Sequence, residues 1–136
     1  MNVAFFLIPK KDVVFLNKNS TIRQALERME FHGYAAVPLI DSEGRYAGTL
    51  TEGDLLWNLK NTCDFSFENA EKIRLSQIKL RTQNNPVSIS AQIDDLISSA
   101  LHQNFVPVID DQGIFIGIVR RREIIEYCAK ALINKA

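Results

Sequence analysis

Two stretches of the 136-residue sequence carry side chains spaced for recognition chemistry. The first is Gly48-Thr49-Leu50-Thr51-Glu52-Gly53-Asp54-Leu55-Leu56. Thr51 and Asp54 are i, i+3 neighbours, so on a helix both project from one face. A hydroxyl and a carboxylate held together there can exchange hydrogen bonds with a vicinal diol. The second stretch is Gly117-Ile118-Val119-Arg120-Arg121-Arg122-Glu123-Ile124-Ile125. It keeps the glycine, the apolar pair and the acid position, with Arg120 in place of Thr51 and Glu123 in place of Asp54. Arginine has no acceptor and cannot play the hydroxyl's part. Three successive arginines at a helix start suit an anion instead, because guanidinium pairs well with phosphate and free backbone N–H groups add to the attraction.

Both stretches also have plainer readings. Thr51 is a good helix cap, and a carboxylate such as Asp54 is favoured in a first turn without any ligand. The arginines can form a solvated helix start paired with Glu123 and Glu126. Cations there oppose the helix dipole, which argues for a bound anion. His32 and His102 have no nucleophile or carboxylate spaced to work with them, so cap or surface roles are expected and no catalytic set is read. Cys63 and Cys128 show neither metal-ligand spacing nor a disulfide framework; free thiols in a reducing cytosol are expected, and no metal site.

The elements that position these residues follow from periodicity. Val13-Val14-Phe15-Leu16 reads as a strand, and Ser20 or Thr21 caps a helix carrying Ile22, Ala25, Leu26 and Met29, which Gly33 ends. Tyr34 to Ile40 is a strand whose Pro38 suggests an edge or a bulge. Asp41-Ser42-Glu43-Gly44 turns the chain into the strand 46–50, and Thr51 starts a helix running to about Lys60. Residues 61–70 have no steady period and read as a connection packed on the body. Residues 73–80 hold a short helical piece capped by Ser76. The pattern then begins again, with Pro86-Val87-Ser88-Ile89 as a strand, Ser90 or Ala91 before a helix, a strand 105–109, a turn at Asp110-Asp111-Gln112-Gly113, a strand 115–119 and a helix from about Arg121 to Ile133. Pro38 and Pro107, Gly44 and Gly113, Gly48 and Gly117, and Asp54 and Glu123 are each separated by 69 positions. This is an internal repeat. The expected fold is mixed α/β (α+β), two β-α-β-β-α repeats at 8–62 and 81–134 joined by 63–80. Each is too small to bury both faces of its sheet, so the two should pack as one module about a pseudo-twofold axis.

Sixteen basic and sixteen acidic residues give zero formal charge, so no global field draws the chain to nucleic acid or anionic lipid. The apolar opening, residues 1–9, stops at Pro9. It is shorter than the roughly 20 residues a membrane helix needs and lacks the features of a signal peptide. It is expected to pack onto the domain or onto a neighbouring subunit, in a cytoplasmic protein with neither nucleic acid nor membrane as partner.

The doubled pattern, apolar-Pro-apolar-apolar-Asp-x-x-Gly, a short strand, then Gly-apolar-apolar-Thr-x-x-Asp, resembles the cystathionine-β-synthase (CBS) domain, and two in tandem resemble a CBS pair, or Bateman module. The resemblance covers residues 8–134. It implies a regulatory module rather than an enzyme, binding adenosine-containing ligands in clefts between the repeats with no catalytic cofactor. Carried over, the first cleft would use Thr51 and Asp54, with Gly53 between them, for ribose. Pro86, Val87, Asn104, Phe105 and Pro107 would flank the base, and Arg122 would face phosphate. The second would use Arg120, Arg121 and Glu123, with Val13, Val14, Tyr34, Ala35, Ala36 and Pro38 around the base. The departures at Arg120 and Glu123 imply one cleft selective for adenosine and one suited to a phosphate-rich group. Some stand-alone CBS pairs bind cyclic di-AMP. The stretch 33–38 and the Arg121-Arg122 pair are similar to their pocket, whereas Asp12 stands where a cation would help a dinucleotide. Trp57 and Tyr127, near the ends of corresponding helices, are expected in core or subunit-interface packing. The resemblance further implies a homodimer through helices, to which the apolar faces of Leu55-Leu56-Leu59 and Ile124-Ile125-Cys128 would contribute, and a protein partner in trans. A ligand-free structural dimerisation module is the alternative from a different class.

Overall fold

Thr21 shows how the polar run before each helix becomes a start signal. Its hydroxyl oxygen accepts from Gln24 N (3.2 Å) while Gln24 Oε1 accepts from Thr21 N (2.9 Å), a reciprocal pair that satisfies two otherwise free donors. Helix α1 (Ile22–His32) follows, and Gly33, with φ of 69°, ends it in the left-handed conformation open to glycine. The same reciprocal pair recurs at Thr51 and Asp54 ahead of α2 (Glu52–Asn61). In the other half the start lies one or two residues beyond the expected one: Gln92 precedes α3 (Ile93–Ala100), with Asp95 Oδ2 accepting from its N–H. Ser76 is not a cap. It sits inside a single 3-10 turn, Leu75–Gln77, where Gln77 Oε1 accepts from Arg74 N (2.7 Å).

The computed structural model describes residues 2–62, 64–81 and 84–135. Its elements fall into two compact units, Val14–Gln83, and Met1–Val13 with Asn84–Ala136. In the first, β2 (Leu16–Asn17) lies parallel to β3 (Ala36–Ile40), and β3 lies antiparallel to β4 (Tyr46–Thr51). In the second, β5 (Val87–Ser88) is parallel to β6 (Phe105–Ile109), which is antiparallel to β7 (Phe115–Arg120), and α4 (Arg121–Lys135) follows. Each unit thus holds one β-α-β-β-α run. The second has a fourth strand, β1 (Ile8–Pro9), antiparallel to β7.

Of the edge or bulge expected at Pro38, the edge is corrected, since β3 is an interior strand, and Pro107 likewise lies in interior β6. Each tolerates proline because the short parallel neighbour pairs only with the two residues after it, Leu39 and Ile40 or Val108 and Ile109, so no ladder bond from that neighbour falls at the proline. The register slips expected of a bulge lie nearby, between Leu39 and Ile40 and between Val108 and Ile109. The strands expected at 13–16 and 86–89 shrink to Leu16–Asn17 and Val87–Ser88.

The core of the first unit gathers Leu16, Ile22, Ala25, Met29, Val37, Leu39, Leu50 and Leu55, with Phe65, Ala70 and Leu75 from the connection. That connection therefore packs on the body as expected, except that Phe67 stays 68% exposed. The core of the second takes Val3 and Phe6 against Leu96, Ala100, Val106, Val108, Val119 and Ile124. Val3 N also donates to Ala91 O (3.1 Å). The apolar opening is thus an integral part of the unit built on 84–136. Gly117 explains how it fits: a Cβ there would stand 2.1 Å from Ile8 O, so only glycine lets β1 lie on β7. Gly48, its equivalent, leaves room for Leu80, whose Cδ1 would be 2.7 Å from an added Cβ.

Candidate functional site

The β4–α2 junction is built by hydrogen bonds to one carboxylate. Asp54 is fully buried. Its Oδ2 accepts from Thr51 N (2.9 Å) and its Oδ1 from Arg81 N (2.8 Å). Thr51 Oγ1 accepts from Asp54 N (3.1 Å), which leaves its own proton to donate. Asn58, one turn further on, donates from Nδ2 to Asp54 O (2.7 Å) and to Lys79 O (3.0 Å). Helix α2 therefore fixes residues 79–81 against its first turn. Thr51, Gly53 and Asp54 then line a recess of about 320 Å³ with Trp57 and Arg81. The Arg81 guanidinium carbon lies 5.5 Å from the Trp57 ring centre, and Lys60 Nζ lies 5.6 Å from it. A carboxylate with both oxygens already engaged keeps one lone pair on each, so Asp54 orients the junction first.

Tyr34, Ala35 and Ala36 stand beside this junction in the same unit. Ala36 is opposite Thr51 in the β3–β4 register, and Ala35 O accepts from Glu52 N (3.0 Å). Tyr34 is 42% exposed and stacks on His32 at 5.4 Å between ring centres. Pro38 is buried opposite Thr49, and half-buried Val14 packs on the core. Within a unit, the antiparallel register makes neighbours of residues that the resemblance divides between two clefts.

The other unit repeats the arrangement with different chemistry. Phe105 is opposite Arg120 in the β6–β7 register, and Arg121 N donates to Asn104 O (3.0 Å), the counterpart of the Glu52–Ala35 bond. Arg120 is exposed and Glu123 half-buried. Arg121 is partly committed to the fold: its Nε donates to Ala100 O (2.8 Å) and Gln103 O (3.0 Å), closing the C-terminal end of α3. Arg122 Nε pairs with Glu126 Oε1 at 3.2 Å on a largely exposed surface. Phe105 and Pro107 are buried, Pro86 and Val87 half-buried, and Asn104 exposed; half-buried Val13 belongs to this unit as well.

Three residues of these junctions escape the sequence pattern. Trp57 and Arg81 are brought together by the bonds from Asn58 and Asp54 to residues 79–81, which no local spacing announces. Arg81 is 69 positions after Asp12, so the repeat register alone marks it as a place where the two halves differ in charge. Gln103 is buried, and its Oε1 has no hydrogen-bond partner among the described residues. Its Nε2 faces Asn85 O at 3.5 Å, which fixes the amide orientation and leaves Oε1 as an acceptor beside Asn104.

His102 follows α3, its N donating to Ser99 O, and Cys128 is half-buried against the core. Cys63 lies outside the described residues. Among the described residues no three or more His, Cys, Asp or Glu side chains are grouped to hold a metal ion, and no helix is long and apolar enough to cross a membrane.

Comparison with known proteins places this geometry in a family. A CBS domain-containing protein of Dictyostelium discoideum is 26% identical over 141 residues, covering 97% of this chain and 95% of that protein. The crystal structure of CbpB in complex with c-di-AMP matches with a TM-score of 0.86 at 22% identity, over 98% of this chain and 88% of that one. The crystal structure of CBSX2 in complex with AMP matches with a TM-score of 0.75 at 20% identity, over 96% and 97%. The family model for the CBS domain matches residues 7–61 and again 77–130, so the chain belongs to the CBS domain family and carries the domain twice.

Proposed function

We propose that this chain is a regulatory module that binds an adenosine-containing nucleotide and passes the occupancy of its sites to a protein partner in trans, without catalysing a reaction. The observation that carries the reading is the recess at the β4–α2 junction. A hydroxyl with a proton to donate, an aromatic face and a guanidinium group surround one space, and these suit a sugar, a base or ring edge, and a phosphate. The likeness to CBSX2 with AMP and to CbpB with c-di-AMP supports adenine as the base. A cation at position 81, where the first repeat has Asp12, supports cyclic di-AMP as a second reading, since that ligand brings two phosphates. Signalling requires that the nucleotide prefer one of two shapes of the module, because a ligand shifts an equilibrium only by its differential affinity. Cytoplasmic residence and a homodimer formed through helices belong to the same reading.

A thermal-shift panel of AMP, ADP, ATP and cyclic di-AMP tests it. A ligand at ~100 times its dissociation constant stabilises by about 2.7 kcal/mol, which raises the melting temperature by several degrees. Silence across the whole panel would favour a ligand-free structural module.

A further inference from the structure

A second recess, of about 370 Å³, adjoins the first and shares its Trp57–Arg81 wall; Asn58, Asn61, Thr62 and Lys79 complete its lining. No carboxylate lines it. Lys79 and Arg81 belong to its wall, and Lys60 is drawn to the same Trp57 ring. Among the described residues none of these three cations has a carboxylate within 4.0 Å; the ion pairs formed there use Arg23, Arg45 and Arg122. Three cations around a rigid aromatic, none in an ion pair among the described residues and with only the buried Asp54 in the adjoining recess, form a local concentration of positive potential in a chain of zero formal charge. The backbone beneath them is fixed, because Lys79 O and Arg81 N are held by Asn58 and Asp54. The side chains are therefore presented from a set frame.

We infer that this second recess is a subsite for a polyphosphate tail, so that the nucleotide is recognised by its number of phosphates as well as by its nucleoside. The inference rests on the nucleotide reading above. The sugar is held at Thr51, the first phosphate lies at the Arg81 guanidinium over Trp57, and further phosphates reach Lys79 and Lys60. Guanidinium and ammonium groups bond phosphate oxygens through charge-assisted hydrogen bonds, and each added phosphate supplies new acceptors.

Titration calorimetry of the full chain with AMP, ADP and ATP tests this. Affinity is expected to rise from AMP to ATP by roughly tenfold or more, the scale of one charge-assisted hydrogen bond. In the double variant Lys60→Gln/Lys79→Gln the three affinities converge while AMP, held at Thr51 and Arg81, keeps its affinity; an AMP-to-ATP preference unchanged in that variant would overturn the subsite. Both substitutions spare the backbone bonds to Asn58 and Asp54, and an unchanged melting temperature verifies that the frame is intact. Equal affinities for the three nucleotides in the unmodified chain would overturn the subsite and leave the nucleotide reading standing. Binding of none of them would overturn the subsite and the mononucleotide reading together.

Discussion

At the scale of a single residue, Asp54 holds the junction together, and the proposed function gives it a part in recognition as well. Its two oxygens hold the N–H groups of Thr51 and Arg81, so Asp54→Ala leaves two part-buried donors without their acceptor. Each costs roughly 1–3 kcal/mol. Chemical denaturation should therefore show a loss of a few kcal/mol, with a smaller loss for Asp54→Asn, which keeps one acceptor. Ligand affinity should fall at least about tenfold in Asp54→Ala, and less in Glu123→Ala; equal losses would mean that the two junctions are not ranked as argued. Tyr46 offers a test by pH. Burial pushes its phenol up to about 12, against a hydrogen bond of 2.6 Å to Thr49 that acts the other way. The unfolded chain ionises this group near 10, so its contribution is intact below that pH and is lost as pH rises from about 10 to 12. Denaturation midpoints followed across that window should fall, and Tyr46→Phe should flatten the fall.

The elements divide the work between local signals and long-range ones. Helix starts, the glycine end of α1 and the 69-residue repeat are all written in short spacings, and the Thr21–Gln24 and Thr51–Asp54 pairs form as those spacings imply. What the spacings do not contain is pairing partners. Pro38 suggested an edge or a bulge, and its tolerance in an interior strand depends on how short β2 is. Arg121 looked free for an anion because the carbonyls it satisfies, of Ala100 and Gln103, lie far back in the sequence. Trp57 and Arg81 meet only through tertiary bonds from Asn58 and Asp54. The opening segment carries no periodic signal, yet Val3 and Phe6 enter the core of the unit built on 84–136. Phe6→Ala should cost roughly 3–5 kcal/mol, whereas Phe5→Ala, at a residue 70% exposed, should stay within about 0.5 kcal/mol. Gly117→Val should dislodge β1, since its side chain would begin where Ile8 O lies; faster hydrogen exchange at residues 8–9 is the expected sign.

For the molecule as a whole, duplication followed by divergence accounts for the chemistry. One frame appears twice, with Arg120 and Glu123 standing where the first unit has Thr51 and Asp54, so the two junctions present unlike chemistry. With zero net charge, ionic recognition falls to local groups, and the proposed function assigns it to the recess lined by Thr51, Asp54, Trp57 and Arg81. The most direct measurement is calorimetric titration of the purified chain with adenosine nucleotides and their guanosine counterparts, repeated on Thr51→Val. The account predicts saturable binding of the adenosine compounds, weaker binding of the guanosine ones, and a loss of affinity in Thr51→Val with folding stability lowered by no more than a lost helix cap costs, about 1 kcal/mol. Heat flow indistinguishable from dilution for every nucleotide, or affinity untouched by Thr51→Val, would contradict it.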